Sequence, residues 1–96
     1  MLKLVPSVSL EEKIEAITKL FPDFSEACRY VKMRHATGRH TIDYDFEGGY
    51  IKQVFSNYIM LAFGKRFRNH IEFCAEDLEA VIHRAYLHFV INNQGV

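Results

Sequence analysis

The chain has little of what would make a secreted or membrane-bound protein. It holds two cysteines among 96 residues, at most one disulfide, where small disulfide-held domains carry several. Its longest apolar run, Tyr58 to Phe63, is far shorter than the roughly 20 residues that span a bilayer. The first residues carry one lysine and a short Leu/Val patch. They show no h-region or small-residue cleavage site, so no signal peptide is expected and the cytoplasm is the expected compartment. Tryptophan is absent, there are two prolines, and net charge is zero. A neutral domain lacks long-range attraction for nucleic acid. Also missing are a Gly-x-Ser-x-Gly elbow, a phosphate-cradling glycine loop, a His-Glu-x-x-His pair and a Gly-x-Gly-x-x-Gly turn. No enzyme class is indicated by these motifs.

What is present is an ordinary globular balance: 49% hydrophobic, 14% aromatic and 25% charged residues. That much apolar surface excludes a disordered chain, and the length suits one domain spanning residues 1–96. The zero net charge hides blocks. Ser9 to Glu26 sums to −3, and Arg29, Lys32, Arg34 and Arg39 add +4. Asp43, Asp45 and Glu47 subtract three, and Lys52, Lys65, Arg66 and Arg68 add four. Residues 72–84 sum to −3, and Lys3 completes the balance. The bland account is mutual neutralisation between neighbouring elements. The sharper one places Arg29, Lys32, Arg34, Arg39, Lys65, Arg66 and Arg68 on one face that binds a partner or phosphates. His35, His40 and His70 would add charge there below about pH 6.5.

Ser9 and Glu12 have capping-box spacing, and Leu10, Ile14, Ile17 and Phe21 then recur at helical period. Pro22 ends that helix. Asp23 and Glu26 suggest a second box, followed by a stripe of Phe24, Ala27, Cys28, Val31 and His35, with Gly38 as its stop. The basic end of this helix suits the negative end of its dipole. Residues 40–46 alternate, placing Ile42, Tyr44 and Phe46 opposite Thr41, Asp43 and Asp45, a short strand. Gly48-Gly49 breaks the chain or opens the next helix. A third helix is expected from Gly49 to Phe63 on Ile51, Val54, Phe55, Tyr58 and Ala62, apolar nearly all round in its second half. Such a helix needs cover on most sides. A fourth is expected from His70 to about Asn92 on the stripe Ile71, Cys74, Leu78, Val81, Ile82, Ala85 and Phe89, capped by Asn69 and Glu72, although residues 69–74 also alternate weakly.

The expected fold is therefore mainly α: a four-helix single domain with one short strand near 40–46. The alternative is α+β, with a two-stranded sheet from 40–46 and 69–74. Surplus apolar surface suggests a homodimer through Tyr58, Met60, Leu61, Phe63, Tyr86, Leu87 and Val90, with Ile91 beside them.

For chemistry, the candidate metal ligands are Cys28, His35, His40, His70, Cys74, His83 and His88. They form no Cys-x-x-Cys or His-x-x-x-His pair, and structural zinc takes four ligands in such local pairs. No metal or cofactor is expected. Both cysteines fall on apolar stripes, where a thiol acts as a small hydrophobe. The acid pairs Glu11/Glu15 and Glu72/Glu76 suit helix N-termini. Phe67, between Arg66 and Arg68, would stack a base or anchor a turn.

Arg34 and His40, with five residues between them, resemble the Arg–His motif of helical ribonucleases of the HEPN class. That resemblance implies a phosphate-holding arginine and a proton-moving histidine.

The leading expectation is a small non-catalytic interaction protein, an adaptor, inhibitor or regulator that binds and occludes a protein partner. Nucleic-acid binding through the basic segments and a helical ribonuclease are the alternatives.

Overall fold

The computed structural model describes residues 8–38, 42–55, 58–64 and 71–92, without the side chains of residues 54 and 55. Two helices come first, α1 (Leu10–Thr18) and α2 (Phe24–Ala36). Four strands follow, β1 (Asp43–Phe46), β2 (Gly49–Phe55), β3 (Tyr58–Phe63) and β4 (Ile71–Ala75). A third helix, α3 (Leu78–Tyr86), runs into a π-helical turn at Leu87–Ile91. The strands form one antiparallel sheet in sequence order. The four-helix expectation is thus overturned: three helices lie on a four-stranded meander.

The first helix begins as its residues dictate. The Ser9 amide donates to Glu12 Oε1 at 2.9 Å, and the Glu12 amide donates to Ser9 Oγ at 3.1 Å. Hydrogen bonding from Ser9, first from its amide and then from its hydroxyl, holds the Glu12 carboxyl below the usual carboxylate range. The stabilisation from this low value is present above the unfolded carboxyl's pKa and lost as pH falls through the folded one. Ser9→Ala is expected to cost about 1 kcal/mol in urea unfolding and to raise the Glu12 titration midpoint seen by NMR. The second expected box does not form: Asp23 makes no side-chain cap bond. Beyond α2, Gly38 sits at φ +76°, the left-handed conformation expected of a helix stop.

The segment expected as a third helix is a hairpin. Gly49 pairs with Phe63, Ile51 with Leu61 and Gln53 with Ile59. Apolar runs this short fit a buried strand as well as a helix, and their aromatic and β-branched residues suit a pleated surface. Glu47 and Gly48 make the two-residue turn from β1 to β2, with Gly48 at φ +98°.

The expected fourth helix also divides. Ile71–Ala75 pairs with β3, so Glu72 lies in a strand and caps nothing. The cap is Asp77, whose carboxylate accepts from the Ala80 amide at 2.8 Å. The two-stranded alternative fails as well. Strands do form at Asp43–Phe46 and Ile71–Ala75, but they occupy opposite edges with β2 and β3 between them.

α1 packs between α2 and α3, with α2 against β1 and α3 against β3 and β4. Ile14, Ile17, Phe24, Val31, Val81 and Ile82 meet Ile51, Ile59, Leu61 and Phe63 in the core between helices and sheet. Phe63 is a hub: its ring lies 4.5 Å from Phe21, 4.8 Å from Phe89 and 5.8 Å from Phe46 between centroids. Phe24 and Phe73 complete the group at 5.9 and 6.1 Å. Strand alternation sends the other side chains to the second face of the sheet. There Asp45, Tyr50, Ala62 and Glu72 share one row, and Asp43, Lys52, Met60 and Cys74 the next.

Candidate protein-interaction surface

The basic segments are only partly within the described residues. Arg29, Lys32 and Arg34 stand on α2, while Arg39, Lys65, Arg66 and Arg68 lie outside the described residues, as do His40, Phe67 and His70. Arg29 is 3.9 Å from Glu26, one turn back on the same helix. Lys32 reaches across to Glu11 of α1 at 3.8 Å. The Arg34 guanidinium lies 5.7 Å over the Tyr30 ring. Arg29 and Lys32 therefore stand beside carboxylates, as block neutralisation anticipates. Exposed pairs of this kind add little stability, typically below about 1 kcal/mol. Tyr30 stacks on Tyr44 of β1 at 4.8 Å, and with Glu26, Arg29 and the exposed Met33 they line a shallow groove of mixed charge.

Residues expected at a dimer interface separate into two groups. On β3, Leu61 is 0% and Phe63 4% exposed, inside the subunit's own core. They are corrected from interface to core, because β3 is a central strand covered by helices. Tyr58 is exposed and Met60 half-buried on the same strand. Tyr86 and Val90 are half-buried, and Leu87 is exposed.

The π turn shapes this second group. The Asn92 amide donates to the Leu87 carbonyl five residues back. Phe89 turns inward onto Phe21, Phe63 and Phe73. None of the five residues of the turn is buried, and Leu87 and Ile91 are 40% and 42% exposed. Their apolar character was readable in the chain. Ile71 is 42% exposed on β4, and in the chain the weak alternation of residues 69–74 is its only signal.

In the last turn of α3, the Lys13 ammonium donates to His83 Nδ1 at 3.0 Å, tying α1 to α3. His35 Nε2 lies 3.3 Å from Gln53 Oε1, linking α2 to β2. Among the described residues no group of three His, Cys, Asp or Glu is placed to hold a metal ion. No helix there is long and apolar enough to cross a membrane.

Both cysteines are free, Cys28 buried and Cys74 half-buried. Burial pushes the Cys28 thiol up to about 12, against a weaker opposing pull from Lys32. Thiolates are the reactive form, so at pH 8 a thiol reagent is expected to label Cys74 in the native protein. Cys28 should react only after unfolding. Equal rates at the two thiols, resolved by peptide mapping, would contradict this placement.

No family model, curated protein or solved structure matches this chain.

Proposed function

We propose that this chain is a small non-catalytic interaction protein that docks the apolar end of its third helix on a protein partner and covers part of that partner's surface. The observation that carries this reading is the exposure of Leu87 and Ile91 on the π turn, four residues apart and directly behind the inward-facing Phe89. Burying a large aliphatic side chain contributes about 1.5–3 kcal/mol, so completing the burial of two such residues yields useful affinity. π-helical turns are rare and recur at functional positions.

The α2 cations support a phosphate ligand less well. Arg29 and Lys32 stand beside Glu26 and Glu11, and the net charge is zero. The ribonuclease motif pairs Arg34 with His40, which lies beyond the stop at Gly38 and outside the described residues.

The test is the double variant Leu87→Asp/Ile91→Asp. Its urea midpoint should match the parent within about 0.5 kcal/mol, as for surface changes. Its affinity for the partner recovered with the parent chain should fall by a factor of ten or more, measured by calorimetry. A partner bound equally by both proteins would overturn the reading.

A further inference from the structure

We infer that β4 is the seam of a homodimer, two copies joining edge to edge into one continuous antiparallel sheet. β4 ends the strand order, and among the described residues no further strand pairs with its outer side. Edges left open in monomers are usually blunted by lysine, proline, a bulge or inward charge. β4 reads Ile-Glu-Phe-Cys-Ala, with no lysine or proline, and its register against β3 runs without a shift. The opposite edge, β1, is only four residues long and carries Asp43 and Asp45.

Charge and symmetry together pick the seam. In a two-fold antiparallel pair, residues directly opposite share a face, so the join must be centred on a residue for the helices of both copies to lie on one side. Centred on Tyr44, β1 would set Asp43 against the Asp45 of its mate. Centring it on Asp43 or Asp45 would oppose that aspartate to itself. Like charges directly opposite destabilise a sheet. Centred on Phe73, β4 opposes Ile71 to Ala75, Glu72 to Cys74 and Phe73 to itself. No acid meets an acid, and the exposed Ile71 covers a small alanine. Moving the centre to Cys74 would set Glu72 against Glu76, and moving it to Glu72 would oppose that carboxylate to itself. One β4 register therefore meets both requirements, and no β1 register centred on Asp43, Tyr44 or Asp45 does.

The inference rests on the reading of the chain as an interaction protein, but it uses a different surface from Leu87 and Ile91. The experiment is sedimentation velocity on the full chain over a dilution series up to about 1 mM, the weak limit of useful association. The parent should show twice the 11.2 kDa chain mass. Cys74→Glu, which sets two new acids against Glu72 of each mate, should weaken the dimer about 10-fold. Cys74→Lys should hold it or tighten it, and Glu72→Lys/Cys74→Glu should restore it. Because Cys74 is half-buried, Ile71→Asp at an exposed position serves as a second weakening variant. A parent that stays monomeric to 1 mM overturns the seam. So do an assembly that grows past the dimer and equal weakening by both charges at position 74. Leu87→Asp/Ile91→Asp should leave the dimer intact. If it instead abolishes the dimer, the seam belongs to the π turn and β4 is excluded. Loss of the dimer in Cys74→Glu with partner affinity retained separates the failure of one idea from the failure of the other.

Discussion

Phe63→Ala is expected to remove about 3–5 kcal/mol of stability, the range for deleting a buried aromatic ring. Phe63 is 4% exposed, on a central strand. Its ring contacts join α2, β1 and β4 to the chain between α1 and α2 and to the π turn. Removing it leaves a cavity that no single neighbour can fill, because those neighbours belong to different elements. Domains of this size hold about 5–15 kcal/mol in total. The loss therefore lowers Tm by tens of degrees, at roughly 4–8 °C per kcal/mol. Phe63→Leu, which keeps most of the volume, should cost much less. Urea unfolding of the three proteins measures the difference. Were Phe63 a contact between subunits, as its place in an apolar run suggested, its loss would weaken association and leave subunit stability nearly unchanged. That outcome would require a different core.

Gly49→Ala should be the other severe change, although it adds a single methyl group. Gly49 sits in β2, paired with Phe46 on one side and Phe63 on the other. A Cβ there would run into the Ala62 carbonyl oxygen and lie 2.9 Å from Phe46 Cζ. The first obstacle is backbone of a central strand, which a rotamer change cannot move. Overpacking of this kind costs about 1–3 kcal/mol and occasionally more, and here the upper end is expected, because β2 is hydrogen-bonded along both edges. Gly38→Ala is the control. Gly38 has φ +76° and nothing within 4 Å of its would-be Cβ, so only the left-handed backbone penalty of about 1–2 kcal/mol applies. Equal urea midpoints for the two variants would show that the close approach at Gly49 relaxes freely.

The surface was less legible than the core. Leu87 stood out as an apolar residue near the end of the last helix, but Leu61 and Phe63 looked the same in the chain. Exposure is not a property of a residue: it depends on which other segments come to lie over it. Neutralisation of the charged blocks was legible in the chain, but not which residues would meet: α1 places Glu11 beside Lys32, and the α2 spiral places Glu26 beside Arg29. The exposed Ile71 was hidden by the helical reading of residues 70–92, which put Ile71 on a core stripe.

What the chain determined by itself is the set of features settled within one or two turns. These are the Ser9–Glu12 cap, the α2 stripe of Phe24, Ala27, Cys28 and Val31 (its fifth expected member, His35, is exposed), the stop at Gly38, and the alternation of β1. In each, the partners lie three or four residues away or on alternate sides of the same backbone, so local spacing is sufficient. Residues 49–63 and 70–92 were decided by the tertiary structure. Their apolar residues satisfy a helical stripe and a buried strand equally well, and a strand meets its hydrogen bonds only on a distant neighbour. Ile51 became a strand residue because Leu61 stood opposite it, and Cys74 because Met60 did. That choice belongs to the sheet as a whole, since each strand's unpaired backbone groups are satisfied only when the next strand is in place.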